Sequence, residues 1–151
     1  MRAINHALTG AVIGFVVHEP FVAVPVAVAS HYVCDVIPHY GAGLSGNQEL
    51  KTPLFRKLLY VDAVLCAVLV AVLTIQRPSY WLLAVICAFA AAAPDLLSLK
   101  RYRRVIGNRS WRAGIYSKFA HAIQWFERPI GAVVEAAWFT AALIILIPFL
   151  R

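Results

Sequence analysis

Charged residues are scarce in this chain. They make up 14% of its 151 residues, against roughly 25% in an average soluble domain, while hydrophobic residues reach 62%. That balance excludes a water-soluble globular domain. Acidic residues are fewest, seven against fourteen Lys and Arg, which leaves a net charge of +7. No RNA- or DNA-binding motif accompanies the basic surplus, so nucleic acid is not an expected partner. Cys34, Cys66 and Cys87 lie in apolar stretches without CxxC spacing. They read as small buried hydrophobes, not as a disulfide or a thiolate metal site. The chain has no internal repeat and no low-complexity tract. Arg2, an apolar run and Ala27-Val28-Ala29 faintly imitate a signal peptide, but His18-Glu19-Pro20 interrupts the run, so cleavage is not expected.

What the chain has is apolar runs. Its length suits one domain, and the expected fold is an all-α polytopic membrane bundle with about five membrane segments. The first, residues 3–17, spans roughly 22 Å at the helical rise, short for a bilayer core of about 30 Å. It is expected to be a short or re-entrant segment, and Gly10 and Gly14 form a GxxxG pair that permits close helix contact. His18-Glu19-Pro20 makes a turn, with Pro20 suited to open the second segment, residues 21–37, which Pro38 ends. Residues 39–57 read as a polar loop. The third and fourth segments cover 58–75 and 80–99. Residues 100–112 read as a solvated basic loop. Residues 113–128 read as an amphipathic interfacial helix, with Trp111 and Trp125 suited to a membrane surface. The last segment, 130–150, is apolar except for Glu135.

Threaded alternately, these segments put twelve of the fourteen Lys and Arg on the side that holds the N-terminus, leaving Arg77 and Arg151 opposite. The positive-inside rule makes that side cytoplasmic and predicts contact with anionic lipid headgroups. Polar residues crowd at the same depth. His6 opens the first segment and falls opposite His31 of the second. His31 and Asp35, four apart, share a helix face. His39 follows Pro38, Asp62 lies five residues past Lys57, and Asp95 lies five before Lys100. His121 and Glu127 ride on the amphipathic stretch, where His121 reads equally as an interfacial residue. His18, Glu19 and Glu135 are assigned to the opposite side. There His18 reads as a hydrogen-bonded interior residue, and Glu135 has no obvious partner.

Ionisable groups within a bilayer are costly, so several at one depth point to a functional site. Imidazole with carboxylate is the ligand mix of zinc and related divalent metals. A catalytic zinc keeps three protein ligands and one open position. His6, His31, Asp35, His39 and His121 are the expected metal-ligating residues, with Asp62 and Asp95 as the expected catalytic carboxylates. A transporter carrying protons or metal ions, or a structural protein in which the polar layer is buried packing, would use the same residues differently.

Three short stretches carry a family resemblance. SHYVCDVIPHY, with His31, Asp35, Pro38 and His39, resembles the HxxxDxxPH signature of small bacterial inner-membrane proteins described as membrane-bound metal-dependent hydrolases. NHALTG, with His6 and Gly10, and AAAAPDLL, with Asp95, are similar to the same group, which has ties to zinc-dependent phospholipase C. Many members carry a second acidic residue after the Pro-Asp pair, where this chain has Leu96 and Leu97. The resemblance implies a metal-dependent hydrolase of a bacterial inner membrane; with the polar layer on the cytoplasmic side, the expected function is hydrolysis of a lipid or amphiphilic phosphoester at that interface, with zinc as the expected cofactor.

Overall fold

The computed structural model describes residues 1–44 and 46–151. Ser45, in the loop expected on the cytoplasmic side, lies outside the described residues. The fold is all-helical: α1 (Ala3–Val16), α2 (Pro20–Val36), α3 (Gly46–Glu49), α4 (Pro53–Gln76), α5 (Trp81–Leu97), α6 (Leu99–Ile106), α7 (Ile115–Ile123) and α8 (Gly131–Leu146), closed by a 3-10 turn at Ile147–Leu150. Among the described residues, three stretches are long and apolar enough to cross a membrane: Pro53–Gln76, Trp81–Ile106 and Gly131–Leu150. The apolar helices α1 and α2 are shorter.

Prolines and caps set several boundaries. Glu19 caps α2 by accepting from the Phe21 N–H, Pro20 takes the first turn, and Ile37 is extended ahead of Pro38. Thr52 caps α4, its Oγ1 accepting from the Phe55 N–H at 3.1 Å, with Pro53 next. That cap starts the helix at Pro53, earlier than the hydrophobic run predicts. The basic stretch also departs from expectation. Lys100–Ile106 is helical, not a loop, because Lys, Arg and Leu are good helix formers and nothing stops the turn before Gly107.

The shortest apolar segment is the centre of the bundle. Nine of the fourteen α1 residues are buried, and the helix packs against α2, α4, α5 and α8. A helix apolar on every side belongs inside a bundle. Its glycines bring it close to α5: a Cβ at Gly10 would strike the Cys87 carbonyl and the Ala91 methyl, and one at Gly14 would strike the Ala84 backbone. In lipid, where no hydrophobic force draws helices together, such close backbone packing holds them. Proximity of Gly14 to Ala84 and of His6 to the Asp95 end makes α1 antiparallel to α5. The bundle end away from His6 is closed by Phe15, Leu69, Leu73 and Leu146, with Phe15 stacked on Phe149 at 5.1 Å.

Candidate metal centre

Four residues from α1, α2 and α5 converge at the other end. Antiparallel packing of α1 on α2 stacks the His6 and His31 rings, with centroids 4.1 Å apart. Asp35, one turn past His31, lies against both rings: Oδ1 is 3.2 Å from His6 Nε2 and Oδ2 is 3.5 Å from His31 Nε2. Asp95 arrives from α5, with Oδ1 3.9 Å from His31 Nε2. His6, His31 and Asp95 each offer a ligand atom, and these atoms lie within 4.8 Å of one another.

The local chemistry orients this set. Pro94 has no N–H to give within α5. The carbonyl of Ala91, on the same turn, is 2.8 Å from His31 Nδ1. Donation from Nδ1 to that carbonyl leaves the Nε2 lone pair of His31 turned to the carboxylates, as in metal-bound histidines. His6 is fully buried, yet neither of its ring nitrogens has an aligned hydrogen-bond partner. Buried polar atoms are nearly always paired, so a ring with one nitrogen facing a carboxylate off-line and the other without a partner among the described residues calls for a reason. Asp35 is fully engaged: it accepts from the Met1 amine and, at 3.0 Å, from Gln124 Nε2. Asp95 has less cover, its side chain being 39% exposed.

A divalent cation fits this donor set. Two imidazole nitrogens and a carboxylate match the two-histidine, one-carboxylate class of catalytic zinc sites. The His6 ring without an aligned partner is the observation that favours a ligand over packing.

The remaining expected residues lie elsewhere. Asp62 is not in the group; Arg2 Nε donates to it at 3.0 Å. Its depth matches Asp95, but its helix face turns it to Arg2. His39 donates through Nδ1 to the Ile37 carbonyl at 2.8 Å, and its Nε2 is 3.5 Å from Glu127 Oε1. Its backbone pairs with residues 126–128, the His39 N–H donating to Phe126 O and the Arg128 N–H to His39 O. His121 is exposed on α7, outside the group. Glu135 departs from both expectations. It sits one turn into α8 at the same end as His6, and it accepts from the Arg2 N–H at 2.8 Å. His18 is exposed and stacks on Tyr80 at 4.1 Å rather than lying inside.

Tyr116 and Gln124, which the sequence did not single out, roof the group together with Trp125. Tyr116 Oη donates to the Pro94 carbonyl at 3.1 Å, Gln124 reaches Asp35, and Trp125 Nε1 donates to the Val36 carbonyl at 2.8 Å. Burial first, then Tyr32 and the charges of Asp95 and Asp35, push the Tyr116 phenol up to about 12, so it stays a neutral donor. The amphipathic pattern locates α7 at the surface, but nothing in it marks Tyr116 or Gln124 as facing inward. No protein-family model, no curated protein and no solved structure matches the chain.

Proposed function

We propose that this protein is a membrane-embedded, metal-dependent hydrolase acting on a lipid or amphiphilic phosphoester. In this reading it lies in a bacterial inner membrane with its N-terminus cytoplasmic. The observation that carries the proposal is the buried His6 ring, neither of whose nitrogens has an aligned hydrogen-bond partner among the described residues, although it adjoins His31, Asp35 and Asp95. The three-stretch resemblance points the same way. His6, His31 and Asp95 hold the cation, a zinc-like ion by its ligand chemistry. When bound, such an ion supplies Lewis acidity toward a phosphoryl oxygen and toward water. Asp35 fixes both imidazole rings, and the Ala91 carbonyl fixes the His31 tautomer. Asp95, the more exposed carboxylate of the group, would hold the cation through one oxygen and leave the other free to take a proton from water. Asp62 serves indirectly, by anchoring Arg2.

Turnover by purified protein in detergent, across a panel of phospholipids and soluble phosphoesters, tests the reading. Hydrolysis that falls about 100-fold or more in Asp95→Asn, with helicity retained, is expected. Proton or metal flux in sealed proteoliposomes, without hydrolysis of any panel member, would replace the hydrolase with a transporter. Orientation is checked by cysteines introduced at Ser79 and Lys118 in a cysteine-free background. Labelling of Ser79→Cys alone from the periplasm is expected, and labelling of Lys118→Cys from that side would invert the topology.

A further inference from the structure

A second polar feature lies away from the histidines. Beyond the end of α5, a cleft of about 350 Å³ is lined by Lys100, Arg104, Ser110, Trp111, Arg112 and Gly114. Ser110 also lines an adjoining cleft of about 370 Å³, whose cations are Lys51 and Arg109. Five cations therefore line the two clefts, and no carboxylate does. Among the described residues, none of the five forms an ion pair. In and beside the adjoining cleft, neutral oxygens meet the cations. Asn108 Oδ1 accepts from Lys51 Nζ at 2.8 Å, and Asn47 Oδ1 accepts from Arg101 at 3.1 Å. The five cations line the clefts without a carboxylate to neutralise them, an arrangement that favours an anion.

The helix below the cleft says what kind of anion. Trp81–Ile106 is one nearly continuous helical run. Leu96, Lys100 and Arg104 are four apart along it, and Phe89 lies seven before Leu96, so the four share one stripe. Phe89 and Leu96 are 66% and 57% exposed, a face turned to lipid in a membrane helix. The stripe thus passes from bare apolar surface directly into cleft-lining cations. Trp111 adds an indole N–H donor of the type that settles at the headgroup level.

We infer that this cleft binds the phosphate of an anionic phospholipid whose acyl chains lie along Phe89 and Leu96. The inference narrows the general attraction of basic loops for the membrane to one site, and it does not depend on the hydrolase reading. Binding is measured without turnover, so the two stand or fall separately.

The test is retention of lipid by detergent-purified full-length protein, using native mass spectrometry with phosphatidylglycerol or phosphatidylcholine added. The wild type should retain phosphatidylglycerol preferentially. Each of Lys100→Gln, Arg104→Gln and Arg112→Gln should weaken that retention about fivefold, near the loss expected for one cation at an anionic surface. Arg77→Gln, at the opposite end, should leave it unchanged. Leu96→Asn, which keeps every cation, should weaken phosphatidylglycerol without affecting inorganic phosphate. Equal retention of both lipids by the wild type, or undiminished retention in all three single-charge variants, would overturn the site. Displacement of the lipid by inorganic phosphate at equal concentration would show a site for free phosphate and would overturn the lipid assignment.

Discussion

Around Arg2, every buried carboxylate has a donor of its own. Asp62 receives the guanidinium and Glu135 receives the Arg2 backbone N–H. Around His6 the pairing is incomplete: among the described residues Nδ1 of the buried ring has no partner, and Nε2 has only the poorly aligned Asp35 oxygen at 3.2 Å, beside a second ring and a second carboxylate. The two groups share a depth, a residue vocabulary and a bundle end. Their difference separates roles. Satisfied buried charge holds helices α1, α4 and α8 in register, whereas unsatisfied lone pairs on converging side chains prepare a place for a cation.

Substitution can break that contrast. His6→Ala and His31→Ala should each lower metal affinity by more than about 100-fold, beyond the usual effect of removing an outer partner, while the helices remain. Asp62→Asn should do the reverse, lowering stability by about 2–3 kcal/mol through the loss of a charged hydrogen bond at a mostly buried site and leaving metal content intact. Metal loss in Asp62→Asn at unchanged stability would merge the two groups into one. Gln124→Ala sharpens the comparison on the other side. It frees Asp35 Oδ2, so metal affinity should fall about 10-fold, measured by competition with a chromophoric chelator. No change would detach α7 from the site.

Tyr116→Phe should have the smallest effect, about 1 kcal/mol, from the bond to the Pro94 carbonyl. It also carries a pH signature. The phenol ionises at 10.0 when unperturbed and at about 12 in the fold. The unfolded chain therefore loses its proton first, and the contribution to stability is complete below pH 10 and lost as pH rises toward 12. Thermal unfolding followed across that window should show a step in the wild type that is absent from Tyr116→Phe.

Much of the fold was legible because its boundaries are chemical. Pro20 and Pro38 bracket α2, and apolar runs mark α4, α5 and α8. In the basic stretch charge is no sign of a loop, since six of the seven residues from Lys100 to Ile106 are Lys, Arg, Tyr or Val that a continuing helix accommodates. Depth was legible too, which is why His6, His31, Asp35 and Asp95 meet. Rotation was not. Asp62 and Asp95 lie at matching depths, and only the packing of α4 turns one to Arg2 while α5 turns the other to His31. His39 follows a proline, where the extended backbone leaves the helix and pairs with residues 126–128. That pairing across nearly ninety residues has no local signal. Glu135 lies at the His6 end because α8 starts there, at Gly131, so one turn into the helix is still close to Arg2.

The central claim is that the group of His6, His31 and Asp95 holds a divalent cation. Elemental analysis of protein purified without chelator, at known protein concentration, tests it most directly. About one zinc-like ion per wild-type chain, and close to none in His31→Ala prepared in parallel, is the predicted result. Wild-type protein that stays metal-free under zinc, manganese and iron supply, or a His31→Ala variant that keeps a full complement, would contradict it.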